Sequence, residues 1–317
     1  MFLMQNLGVI IFFILFGFLI TYSVDNKSKQ YKFIDFFIDR FSRIYIAFVP
    51  ALLFILMCDL VIKAFGGEYI YSYALTGKSF IQNLLMLQDH PLLVYGFSKI
   101  YAESSVTSFG SGRPLWSVAV EWWIYMFYGF IIYKKVSFKN AIIFIFLFLV
   151  PLYNMSGEGN GLSIVCFLGM LAYYLLKTGI LRLNYPYLVI FILLAASVYR
   201  LRMNDYMVYD LTFSVPLTFA FIFLIEQLQH AQNENVVLKK IASFSKFISS
   251  YSFSLYLVHY SVIMLVMSFN ILMNKCWQIL LLFCLCNIIA WSFAYFTEFR
   301  YHTFRNFIKK RNHSYVG

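Results

Sequence analysis

The sequence predicts an all-α fold, a polytopic transmembrane helix bundle of about nine helices, on three observations. Of its 317 residues 62% are hydrophobic and 12% charged, where a soluble domain carries about a quarter charged, so water is not the solvent of most of its surface. Apolar runs of about 17 to 25 residues recur from end to end, each long enough to cross roughly 30 Å of hydrocarbon as a helix. The runs from Ile142 to Pro151 and from Ile279 to Trp291 are apolar on every side, where the strands of a membrane barrel would alternate.

Taken in order, the runs place helices at 5–23, 44–65, 115–133, 140–154, 161–176, 185–200, 209–226, 251–271 and 277–297. Several are short or carry a charge, which leaves room for one re-entrant segment. Residues 66–114 form a long connection with Gly, Ser and Tyr, and its apolar patch Leu84 to Leu87 suits an interfacial helix. Residues 1–298 read as one membrane domain and 299–317 as a basic cytoplasmic tail. The six prolines form no matched helix breaks in two halves, so the pointer to a repeat-built transporter is absent.

Lys and Arg set the orientation, because positive loops stay in the cytoplasm. With the first helix running outside to inside, 18 of them fall on the cytoplasmic side, including Lys27, Arg40, Arg43, Lys135, Arg182 and Lys309. The far side keeps 6, namely Lys78, Lys99, Arg113, Arg200, Arg202 and Lys275. The net charge of +11 therefore sits in short loop clusters and not on a nucleic-acid face. An odd helix count leaves the amino terminus outside, yet Met1 to Leu7 has no charged leader or cleavable signal. Either a segment upstream is expected or the first helix inserts with its terminus outside. The five cysteines, Cys58, Cys166, Cys276, Cys284 and Cys286, lack zinc spacing and read as small packing residues, so no metal is expected.

Three features can carry chemistry. Glu121 stands about one turn inside an apolar run, where a carboxylate costs several kcal/mol unless paired or hydrated. It is either functional or a partner for an Arg or Tyr of a neighbouring helix. Arg40 and Arg43, three apart at the cytoplasmic mouth of the second span, share a face. They either fork onto phosphate oxygens or snorkel to lipid headgroups. His259 lies inside a span with Ser252 and Tyr256 on much the same face, a polar stripe whose histidine is a base or a packing residue. Asp59 and Glu226, near helix ends, are expected to reach water.

Several segments resemble, in order, the acyltransferase-3 family of bacterial membrane acyltransferases that modify envelope sugars. Leu7 through Thr21 (LGVIIFFILFGFLIT) resembles the family's GVDLFFVLSGFLI segment, and Arg40-Phe41-Ser42-Arg43-Ile44-Tyr45 its Arg-x-x-Arg-Ile-Tyr motif. Asn83-Leu84-Leu85-Met86-Leu87-Gln88 resembles a recurring stretch, and Leu115-Trp116-Ser117-Val118-Ala119-Val120-Glu121 resembles LWSLSVE. Tyr251 to His259 is similar to SYSLYLxH, and Thr297-Glu298-Phe299-Arg300 is a weaker echo of Glu-Lys-Pro.

That resemblance implies transfer of an acyl group, usually acetyl, from acyl-CoA as co-substrate, with no bound cofactor, to an envelope glycan or lipid-linked sugar at the bacterial inner membrane. It assigns Arg40, Arg43 and Tyr45 to the donor, Trp116, Ser117, Ser252 and Tyr256 to the acceptor or site core, and Glu121 and His259 to the chemistry. Family members usually have ten helices, the first bearing a basic residue and a histidine base. That helix is missing here, and Ile10, Phe16 and Ala119 replace the family's Asp, Ser and Ser. The expectation is therefore a truncated form with little activity. The rival reading is a non-enzymatic transporter or flippase of a lipid-linked glycan.

Overall fold

A computed structural model describes residues 2–65, 69–88, 90–92, 107–134, 137–154, 161–179, 186–201, 211–231, 236–269 and 274–313. Lys99, Lys135, Arg182 and Arg202 of the charge count lie outside the described residues. The described chain is all helical: α1 (Phe2–Asp25), α2 (Phe33–Ala64), α3 (Gly77–Leu84), α4 (Leu115–Tyr133), α5 (Ala141–Tyr153), α6 (Leu162–Thr178), α7 (Pro186–Leu201), α8 (Leu211–Ala231), α9 (Val236–Ser249), α10 (Ser252–Ser268), α11 (Lys275–Phe296) and α12 (Tyr301–His313). Among the described residues five helices are long and apolar enough to cross a membrane, or six if the bent pair Lys239–Ser249 and Ser252–Ser268 is one span. The apolar helices α5, α6 and α7 are shorter.

The chain divides into two compact units, Met1–Tyr31 with Ile145–Ala242, and Lys32–Phe144 with Ser243–Gly317. In the first, α1 packs on α6 and α7 on α8. The α1/α6 crossing is made by backbone: a Cβ on Gly17 would run into the Cys166 carbonyl, and one on Gly169 into the Ile14 carbonyl. Small residues at these places let two axes approach where a bundle has no water to expel. The C-terminal ends of the two helices are tied by Asp25, which takes Lys177 Nζ at 2.6 Å and the Tyr173 hydroxyl at 2.5 Å.

In the second unit α2 carries α4, α10 and α12. It begins at Phe33, well before the apolar run at 44, because Asp35 caps the backbone N–H of Lys32 at 3.1 Å and the polar residues of the early turns find partners. Chief among these is Asp39, 7% exposed, which accepts a fork from Arg305 (2.6 and 3.3 Å) and Lys309 Nζ at 2.8 Å. Residues of the basic tail thus form α12, docked along α2. The α4 helix runs antiparallel to α2, with Phe130 against Phe33 (centroids 6.1 Å apart) and Trp122 against Phe37 and Tyr45 (5.8 and 5.4 Å).

The connection before α4 differs from the expected interfacial helix. The α3 helix ends at Leu84, and the apolar patch falls in the turn after it, with Met86 buried at φ 56°. The turn is held by its carbonyls: Tyr45 donates to Leu84 O at 3.0 Å and Trp123 Nε1 to Met86 O at 2.7 Å. Asn83, fully buried, donates to Thr107 O and accepts from Phe109 N, which fixes the strap leading into α4. Asp59 does not reach water: it is 0% exposed, and Oδ2 accepts the Ser111 backbone N–H at 2.9 Å. The Gly110 backbone lies directly against that carboxylate at φ +49°, so only glycine fits there.

Candidate active site

The two arginines of α2 have different surroundings. Arg40 is 8% exposed, its guanidinium lying over the Tyr125 and Phe36 rings (4.7 and 5.3 Å) with Nη1 donating to the Tyr125 hydroxyl at 3.5 Å. Arg43, one turn on, is exposed. It stands within electrostatic range of Glu121, Glu298, Tyr125 and Tyr301, but makes no hydrogen bond or ion pair among the described residues. An accessible guanidinium ringed by protein groups and committed to none of them is ready for an anion.

Facing it on α4, Glu121 is 7% exposed, and its Oε2 has no hydrogen-bond partner among the described residues. The Tyr125 hydroxyl lies beside this carboxylate, one helical turn along the same face. A buried carboxylate left this way is tolerated because the charges of Arg43 and Arg40 stand nearby.

The third wall is α10. The Tyr256 hydroxyl is hydrogen-bonded to Ser117 Oγ, and Ser117 itself donates to Pro114 O at 2.9 Å, so Tyr256 is the donor of that pair. This ties the first turn of α4 to α10 and brings Tyr256 within electrostatic range of Glu121. His259 follows one turn later, half-buried, its ring centroid 6.0 Å from that of Tyr256. Its Nδ1 lies 2.9 Å from Tyr256 O and 3.1 Å from Leu255 O. Carbonyls only accept, so Nδ1 carries the proton and Nε2 presents its lone pair.

Not every expected residue joins the cluster. Ser252 is exposed and donates to Ser249 O at 2.9 Å, outside it. Tyr45 is a packing pin, stacked on Phe41 at 4.4 Å with its hydroxyl on Leu84 O. Trp116 is half-buried in the first turn of α4. Sequence reasoning passed over Ser254 and Glu298. Ser254 is fully buried, and its backbone N–H and Oγ donate to Glu298 Oε2 at 3.2 and 2.9 Å. The available signal was the weak motif at Thr297 to Arg300.

The cluster therefore offers an accessible cation, a buried carboxylate, phenol donors and an imidazole lone pair. These are the groups needed to hold an anionic carrier and move a proton. In comparison with known proteins, a family model described as an acyltransferase domain matches residues 1–295. No curated protein and no solved structure matches the chain.

Proposed function

We propose, from the premise that the chain belongs to the acyltransferase-3 family, that this multi-pass membrane protein moves an acyl group, in the simplest case acetyl, from acyl-CoA to a hydroxyl of a cell-envelope sugar. The observation that carries the reading is Arg43, an accessible guanidinium without a partner among the described residues, beside a buried Glu121. Arg43 meets the phosphates of the acyl carrier. Arg40, held by Tyr125 and Phe36, sets the position of that phenol.

The chemistry needs one proton acceptor. His259 Nε2 takes the proton of the sugar hydroxyl as its oxygen bonds to the thioester carbonyl carbon. The tetrahedral oxyanion is stabilised by the neighbouring phenols, while Arg43 stays on the phosphates at the other end of the carrier's arm. When the C–S bond breaks, the departing thiolate recovers the proton from the imidazolium, leaving free CoA and the sugar ester. Glu121 balances Arg43 and keeps its guanidinium in place. The protein resides in the bacterial inner membrane with residues 299–317 on the cytoplasmic side, where acyl-CoA is found, and 1–298 form the acyltransferase domain.

The test uses purified protein in lipid nanodiscs with radiolabelled acetyl-CoA and a lipid-linked glycan fraction. Label passing to glycan would overturn the expectation of little activity and make His259 the base, and His259→Gln should then cut the rate about 10²- to 10⁴-fold with acetyl-CoA binding retained. Absence of acetyl-CoA binding would overturn the reading. Glycan crossing a vesicle membrane without acetyl-CoA would point to the transporter instead.

A further inference from the structure

The N-terminus of α10 lacks a cap of its own. Its N-cap residue is Tyr251, which makes no side-chain capping bond, so the first N–H groups need acceptors from elsewhere. One comes from far along the chain. Glu298, 44 residues on, accepts both the backbone N–H and the hydroxyl of Ser254, in the first turn of α10, on the single oxygen Oε2. A carboxylate at a helix N-terminus is favoured by the helix dipole and by the unpaired N–H groups together.

The turn that delivers Glu298 is itself fixed. Thr297 is 5% exposed and donates to Phe293 O at 2.8 Å, which closes the last turn of α11 and starts the short turn Glu298–Arg300. Cys286 Sγ on α11 also reaches His259 O at 3.7 Å, so α11 touches α10 at a second level. The same Glu298 stands within electrostatic range of Arg43. Arg43 is thus flanked by one carboxylate from α4 and one from the end of α11.

We infer that Glu298 is a positioning residue for the α10 wall: by capping α10 through Ser254 it fixes where Tyr256 and His259 stand relative to Glu121 and Arg43. The inference rests on the proposed acyl transfer for its kinetic consequence but not for its structural one. A displaced cap rotates or shifts the first turns of α10, and those turns carry the hydroxyl bonded to Ser117. Misplacing a reacting group by about 1 Å is enough to cost roughly a hundredfold in rate.

The experiment places 3-fluorotyrosine at position 256 of the full chain in nanodiscs and reads its fluorine resonance, alongside acetyl-CoA binding and glycan acetylation. Glu298→Gln keeps acceptor oxygen but removes the charge, and Ser254→Ala removes only the hydroxyl bond. Both should shift the Tyr256 resonance and lower kcat roughly ten- to a hundredfold, with KM for acetyl-CoA changed far less. Glu298→Asp should recover part of the loss. If Glu298→Gln fails to fold, Ser254→Ala gives the same reading. An unmoved resonance overturns the inference whatever the activity. A shifted resonance in a protein whose parent neither binds nor transfers acetyl-CoA would uphold the inference and sink the proposed function.

Discussion

Replacing Arg43 by Lys keeps a positive charge but removes the planar fork that meets two phosphate oxygens at once. Arg43→Lys should weaken acetyl-CoA binding about tenfold, about 1.4 kcal/mol, by titration calorimetry. Arg40→Lys should instead act mainly on stability, because its guanidinium is stacked on Tyr125 and Phe36. Equal effects of the two on binding would mean both reach the donor. The spacing of the pair was legible from sequence. Which arginine is accessible was not, since Tyr125 approaches Arg40 from 85 positions away. His90 gives a second prediction at this scale. Burial pushes its imidazole down to about 4 from 6.5. Between those values the unfolded chain holds a proton that the native chain refuses, so stability is full above pH 6.5 and falls as pH drops toward 4. His90→Gln should flatten the melting temperature across that window.

Helix elements fail or hold at their closest contacts. Gly17→Ala and Gly169→Ala each drive a methyl into a backbone carbonyl of the facing helix, so each should cost about 1–3 kcal/mol in a detergent-unfolding measurement. Gly8→Ala on the same α1 meets nothing within 4 Å and should stabilise by roughly 0.5–1 kcal/mol. At α12 the docking is ionic. Asp39→Asn removes the charge that pairs with Arg305 and Lys309 and should make α12 the first site of limited proteolysis. These same contacts explain what sequence withheld. All nine apolar runs became helices because continuous hydrophobicity alone specifies them. The early turns of α2, with Asp35, Asp39, Arg40 and Arg43, broke that pattern and became helical through the partners that Asp35, Asp39 and Arg40 find on α4 and α12. The α9 and α12 helices are too polar for a hydropathy reading. The patch Leu84 to Leu87 was misread because its shape is set by Tyr45 and Trp123, not by its own residues.

For the molecule as a whole, helix directions test the crossing count independently of charge. In the first unit α1 and α6 run parallel: Gly17 meets Cys166, Phe18 meets Tyr173, and Asp25 meets Lys177. Parallel spans need an odd number of crossings between them, and the spans expected from sequence at α2, α4 and the shorter α5 agree with that; counting α3 as a span would break it. In the second unit α2 and α10 also run parallel, since Arg43 lies near the Glu298 that caps Ser254, while Asp59 is joined through Ser111 to Ser261. The five spans expected from sequence at α4 to α8 agree with that parity, and a spanning α9 would break it. The charge rule then predicts residue 26 in the cytoplasm and the start of α11 on the far side. Cys276 is exposed at that start and serves as the native probe. With the other cysteines replaced by Ala, a membrane-impermeant maleimide added to intact cells should label Cys276 and leave Asn26→Cys unlabelled until the membrane is opened. Labelling of both from outside would put an even number of crossings between them, and labelling of Asn26→Cys alone would invert the protein and remove Arg43 from the side that holds acyl-CoA.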